Sequence, residues 1–211
     1  MLEGREYSGV VHMKWITFYT KGSIYKHESH RLRSSMRRLG LRLDAHAIKD
    51  RGSWQKNAQY KAEFIRDYIK HRTLPTVWID CDAVMWQRPT LLERPPVESP
   101  DFMASWTGSG EQDRVNSAVT YWGPTQNARD IADRWVDRVK RKPRARFADQ
   151  SPLHEVIMEA KKDIAAKIVT LPPTYSFIFD ISRHVFKDIK PEDIIVEQFQ
   201  ASRVVRKRQA K

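Results

Sequence analysis

Cysteine is almost absent from this 211-residue sequence, with Cys81 the single example. No internal disulfide can form, and no cysteine-based zinc centre can be assembled. Cys81 lies between Asp80 and Asp82 at the end of an apolar run, where a small buried thiol is expected rather than a nucleophile. Long hydrophobic runs are also missing. The longest, such as Thr76 to Ile79, fall far short of the ~18 residues of a membrane span. The opening MLEGREYSG has no apolar signal-peptide core, so a cytoplasmic location is the expectation. The sequence contains no G-x-x-x-x-G-K-[ST] loop, no G-x-G-x-x-G fingerprint and no G-x-S-x-G elbow. Those absences argue against a P-loop enzyme, a dinucleotide oxidoreductase and an α/β-hydrolase. The seven histidines include no H-E-x-x-H pair, which counts against a zinc hydrolase.

Positive charge is abundant. Thirty-eight Lys and Arg against 26 Asp and Glu give a formal net charge of +12, which favours a polyanionic partner without naming it. Three clusters carry much of it. Arg31, Arg33, Arg37, Arg38 and Arg42 crowd one segment; Arg134, Arg138, Lys140, Arg141, Lys142, Arg144 and Arg146 crowd another; Arg203, Arg206, Lys207, Arg208 and Lys211 end the chain. Each is ordinarily a solvated face, but three in one small domain suggest a surface for nucleic acid or an anionic membrane.

Hydrophobic periodicity predicts alternating strands and helices. His12 to Thr20 is β-branched and aromatic and reads as a strand. Ser23 is placed to cap a helix that runs to Leu39 and stops at Gly40. Leu41 to Ile48 alternates as a half-exposed strand. Ser53 caps a helix whose Ala58, Ala62, Ile65 and Ile69 recur at helical spacing, and Thr76 to Asp80 reads as a buried strand. Beyond a loop with four prolines (89–100), strands are predicted at Phe102 to Trp106 and Val115 to Trp122, with a glycine turn at 108–110 between them. Helices follow from Thr125 to Lys142 and Ser151 to Lys161, then short strands at Ile168 to Leu171 and Ile194 to Phe199. The order implies one α/β sandwich with a mostly parallel central sheet flanked by helices, spanning residues 1–203, and a basic tail at 204–211.

The segment V-W-I-D-C-D carries the sharpest chemistry. A buried strand that ends in two carboxylates at i and i+2 brings both to one point, where they repel unless a cation lies between them. Mg²⁺ or Mn²⁺ suits that need, held by one or two carboxylates and phosphate oxygens.

At this point the chain resembles the A-fold (GT-A) nucleotide-diphospho-sugar glycosyltransferases. Asp80-x-Asp82 looks like their metal motif, and Phe18-Tyr19-Thr20-Lys21 falls where they begin the nucleotide-binding loop. GSWQKNAQYKAEFI with Lys61 resembles their helix before that motif. DCDAVMWQRP, Asn116-Ser117-Ala118 and FADQSPL, with Asp149 and Gln150, continue the resemblance in order over about residues 14 to 203. The resemblance implies a Rossmann-like fold and transfer of a sugar from a nucleotide-diphosphate sugar, with UDP the commonest base. It places Tyr19, Thr20 and Lys21 at the base and ribose, Asp80 at ribose and metal, and Asp82 on the metal. Lys61 would reach the nucleotide or sugar, Asn116 would lie on the acceptor-side strand, and Gln150 would face the transferred sugar. Asp149 is the implied catalytic carboxylate, as a base on the acceptor hydroxyl or as a stabiliser of an oxocarbenium-like state. One departure is visible: where many members place a late metal-binding histidine, Gln198 stands here, with Glu197 beside it as another oxygen donor or a solvated side chain.

The implied acceptor is a hydroxyl. Basic clusters converging on the cleft would suit DNA with a hydroxylated base flipped against Trp86, Trp106 or Trp122, or an anionic glycolipid or lipopolysaccharide. The competing reading is a non-enzymatic nucleic-acid-binding protein, which would need neither metal nor nucleotide.

Overall fold

A computed structural model describes residues 12–108, 114–145 and 147–203. The opening residues, most of the glycine turn, Arg146 and the basic tail fall outside these.

Strands β1 (Lys14–Thr20), β2 (Leu43–Ile48), β3 (Thr76–Ile79), β5 (Phe102–Trp106), β6 (Val115–Trp122) and β7 (Ile168–Thr170) form one sheet in the order β2-β1-β3-β6-β5-β7. β1 runs parallel to both β2 and β3, and β5 parallel to β7. β6 alone is reversed, antiparallel to β3 on one side and β5 on the other. The mostly parallel sheet expected from the order of elements is therefore present. Its reversed strand follows from the short link after β5, since neighbours joined by so few residues can only pair antiparallel.

Strand alternation divides the core between two faces. Ile16, Phe18, Trp78, Phe102 and Trp122 pack under α2 (Trp54–Ile69), α4 (Gln126–Arg141) and α5 (Gln150–Asp163). Trp15, Val77, Ile79, Met103 and Tyr121 pack on the other face under Leu32 and Met36 of α1 (Ile24–Arg38). The expected caps form: Ser23 accepts from the Tyr25 N–H and Ser53 from Lys56; Thr125, expected as the first residue of its helix, is its cap and accepts from Ala128.

A second, smaller sheet was legible only in part: the strand expected at Ile194 to Phe199 forms one of its strands, and the other two were not anticipated. β4 (Ala83–Met85) pairs antiparallel with β9 (Val196–Gln198), which pairs in parallel with β8 (Phe177–Ile178). β4 and β8, of three and two residues, carry too little periodicity to be read. The proline-rich stretch also holds a single helical turn, α3 (Thr90–Glu93), and a further turn, α6 (Ser182–Val185), follows β8. The small sheet brings residues 199–203 back over the carboxylate motif.

Candidate active site

β3 ends at Ile79, and Asp80 to Asp82 turn at the edge of the main sheet. The Asp80 N–H donates to the Ala118 carbonyl of β6, which ties the motif to the reversed strand (2.8 Å). The returning C-terminal segment holds the other end. The Phe199 N–H donates to the Asp82 carbonyl (3.1 Å), and the Ala201 N–H to Asp82 Oδ2 (2.8 Å). Arg31 of α1 reaches the same carbonyl and lies over the Phe199 ring, with its guanidinium carbon 4.5 Å from the ring centre.

Lys61 is the electrostatic centre of the site. It projects from α2 and is buried, with Nζ 2.8 Å from Asp80 Oδ1 and 2.9 Å from Asp149 Oδ2. Burial alone would depress the ammonium pKa; Asp149 and Asp80 outweigh it and raise the pKa above the ordinary lysine range. Asp80 Oδ1 also accepts from Trp78 Nε1 (2.7 Å), and Asp149 Oδ2 from the Ser117 hydroxyl (2.8 Å). Asp80 Oδ2 and Asp149 Oδ1 take no hydrogen bond from the described residues. Burial pushes the Asp80 carboxyl up to about 6; Lys61 pulls it down, and Asp82 and Asp149 push it up again. Asp82 is also raised, by burial first, against the Ala201 N–H. Two carboxylates thus share one lysine with a third, Asp82, beside them, and the pocket favours a further positive charge.

Asp149 occupies the N-cap position of α5, a place its residue type suits, yet its side chain makes no capping bond. The carboxylate is turned to Lys61 and Ser117 instead, while Trp135 Nε1 holds the Asp149 carbonyl at 2.9 Å. Ala148, just before it, has a φ of 29°, and Gln200, just before Ala201, a φ of 54°. Left-handed backbone at non-glycine residues is uncommon, and here it flanks two groups that hold or form the site.

These residues line a cleft of about 1050 Å³. Of the residues expected at the site, Tyr19, Thr20, Lys61, Asp80, Asp82, Asn116, Asp149 and Gln150 all face it. Lys21 does not: it is exposed beyond the end of β1, and its N–H is bound to the Ile48 carbonyl. Asn116 is fixed by its own strand, accepting from the Ala118 N–H (2.9 Å) and donating to the Ser176 carbonyl (3.3 Å). Tyr25 and Trp54, at the starts of α1 and α2, add aromatic wall that sequence reasoning missed. The available signal was their position beside the two caps, Ser23 and Ser53.

Neither candidate for the late ligand is placed to serve. Glu197 accepts from Trp86 Nε1 (3.0 Å) and pairs with Arg183 (3.5 Å), and Gln198 is buried in the small sheet away from the cleft. Gln200 lines the cleft instead, two residues further on. Trp122 is fully buried and stacked on Trp135, so it is a core residue and no stacking platform. Three members of the α4 basic cluster are spent on α5: Arg134 pairs with Asp163, Arg138 with Glu155 and Glu159, and Lys142 with Glu155, while Lys140, Arg141 and Arg144 are exposed.

This sheet, capped by a small sheet that returns over a strand-end carboxylate pair, has a GT-A-like fold. The model of the nucleotide-diphospho-sugar transferase family matches residues 45–203, and the chain belongs to that family. It is a glycosyltransferase that draws on a nucleotide-diphosphate sugar. Among solved structures, a glycosyltransferase involved in the glycosylation of the major capsid of PBCV-1 is similar at a TM-score of 0.63 and 10% identity, covering 94% of this chain and 99% of that one. The glycosyltransferase GlyE of Streptococcus pneumoniae TIGR4 is similar at 0.56 and 13%, covering 90% and 55%. The bifunctional glycosyltransferase WbbM is similar at 0.58 and 9%, covering 94% and 47%. This chain therefore spans about half the length of the last two. No curated protein matches.

Proposed function

We propose that this chain transfers a sugar from a UDP-sugar to an acceptor hydroxyl, with Asp80 and Asp82 holding Mn²⁺ or Mg²⁺ and Asp149 as the carboxylate at the reacting centre. The observation that carries the reading is the sharing of Lys61 by Asp80 and Asp149 on the wall of one cleft, with Asp82 beside them.

The donor set suits a hard divalent ion. Asp80 Oδ2 takes no hydrogen bond from the described residues, and burial leaves both motif carboxylates resisting charge until a cation joins them. Among the described residues no group of three or more His, Cys, Asp or Glu side chains is set for a metal. The two aspartates would therefore share the ion with donor phosphate oxygens, as Mg²⁺ and Mn²⁺ sites commonly do. Such an ion neutralises charge on a leaving diphosphate.

The chain's own groups do the rest. Tyr19, Thr20, Tyr25 and Trp54 shape the base and ribose end of the cleft. Lys61 holds Asp80 and Asp149 in fixed relation and offers positive charge to the donor. Asp149 Oδ1 faces the transferred sugar together with Gln150, where it accepts the acceptor's hydroxyl proton or stabilises positive charge at the reacting carbon. A polyanionic acceptor, either DNA carrying a hydroxylated base or an anionic glycolipid, would meet the exposed Arg33, Arg37 and Arg38 of α1.

A donor-hydrolysis assay tests the reading: the protein is incubated with each of a panel of UDP-sugars and Mn²⁺, and released UDP is measured. Slow release from one donor, lost with chelator and in Asp149→Asn, is expected. No release from any UDP-sugar, or release indifferent to chelation, would overturn the proposal.

A further inference from the structure

Next to the cleft lies a second, smaller hollow of about 350 Å³, bounded by Trp106, Gly108, Thr170, Leu171, Pro173 and Phe186. Gly108 borders both spaces, so the hollow adjoins the cleft there. Its volume is at the lower end of small-ligand sites, about 300–1,000 Å³. Among the described residues no charged side chain lines it.

Trp106 is the last residue of β5, and its indole is held in place. Nε1 donates to Thr170 Oγ1 (3.0 Å), and the His154 ring meets it edge-on with centroids 5.4 Å apart. That bond uses Thr170 as an acceptor and leaves its own O–H to donate. The hollow thus offers a fixed aromatic plane, an apolar floor of Leu171, Pro173 and Phe186, and one hydroxyl at the rim. A pyranose matches this mixture, because it presents an apolar C–H face bordered by hydroxyls. Among the described residues the lining itself holds no cation; Lys161 lies outside it, with Nζ 5.2 Å from the centre of the Trp106 ring.

We propose that this hollow binds the second sugar of the acceptor, so that the acceptor is an extended neutral saccharide segment whose terminal residue enters the main cleft while its neighbour stacks on Trp106. This rests on the transferase reading above. It favours a glycan or the sugar portion of a glycolipid over DNA, whose bases would need flanking phosphate contacts the hollow lacks.

The test is a printed array of neutral mono-, di- and trisaccharides with spots of single-stranded DNA, probed by the fluorescently labelled protein in UDP and Mn²⁺. Trp106→Ala and Trp106→Phe are run alongside, and UDP affinity is measured on each preparation. Binding to a di- or trisaccharide above its component monosaccharides is expected. Trp106→Ala should lose roughly tenfold of that binding, the scale of one aromatic contact, and Trp106→Phe should restore most of it. A saccharide signal indifferent to Trp106→Ala, a signal confined to DNA, or no saccharide signal from protein that binds UDP would each overturn the subsite. Absence of UDP binding in the wild type would instead strike at the transferase reading, and the saccharide spots would still report on the hollow. Trp106→Phe guards against misfolding, since Trp106 also packs against the core.

Discussion

At Asp149 the chain forgoes a helix cap and commits the carboxylate to a lysine in the cleft. Lys61, on the other side of that contact, is almost wholly buried between two acids. Removing it strands Asp149, a buried carboxylate, and half-frees Asp80, whose side chain keeps 29% exposure. Lys61→Met should destabilise the fold by about 3 kcal/mol, the lower part of the range for a broken buried pair, as read by urea unfolding; a loss under about 1 kcal/mol would mean that the pair is not held as described. Ser117→Ala acts more gently. It removes one hydrogen bond to Asp149, so stability should fall by about 1 kcal/mol while donor hydrolysis drops further than the small change in UDP affinity accounts for. Equal losses in UDP affinity and hydrolysis would argue that Ser117 serves the donor and not Asp149.

The elements place these residues by ordinary means. α4 and β7 are anchored to β5 through Asp101, a buried carboxylate just before the strand. It accepts from the Thr125 hydroxyl (2.5 Å), Asn127 Nδ2 (3.2 Å) and the Lys167 N–H (2.7 Å). Asp101→Ala leaves those donors without their acceptor and should cost about 2–3 kcal/mol, seen as a lowered urea midpoint, with UDP affinity unchanged below the transition. The larger elements were legible because they are long and periodic: Ala62, Ile65 and Ile69 on α2, and Ala128, Ile131, Ala132, Trp135 and Val139 on α4, all fall on the buried stripe. The cap residues Ser23, Ser53 and Thr125 marked their helix starts because a side-chain oxygen there answers a local need of the backbone. Two strands of the small sheet, β4 and β8, were hidden, since they are stabilised by partners distant in sequence: Ala83 pairs with Gln198 and Phe177 with Glu197. For the same reason the late part of the site was misassigned. Strand pairing and a left-handed Gln200, not spacing, decide that Gln200 rather than Gln198 faces the cleft. The carboxylate motif was readable because strand end and i, i+2 spacing are both local facts.

Across the whole molecule, a net charge of +12 says less than its distribution. Arg134, Arg138 and Lys142 of the α4 cluster pair with acids of α5, whereas Arg33, Arg37, Arg38 and Arg42 stand exposed on and just beyond α1, as do Lys140, Arg141 and Arg144 at and just past the end of α4. If the protein's affinity for a polyanion is electrostatic, its logarithm falls linearly with the logarithm of salt. Replacing Arg33, Arg37 and Arg38 by alanine should then flatten that line for a single-stranded oligonucleotide by roughly 2, at about 0.7 per phosphate contact. UDP binding should be untouched. An unchanged slope would place any polyanion contact on another face.

The central claim is that the Asp80-Asp82 turn holds a divalent ion together with a nucleoside diphosphate. It is tested most directly by calorimetry of UDP binding, with and without Mn²⁺, on the wild type and on Asp82→Ala. The account expects binding that requires Mn²⁺ in the wild type and is lost in Asp82→Ala while the variant stays folded. UDP binding of equal strength without the metal, or undiminished in Asp82→Ala, would contradict it.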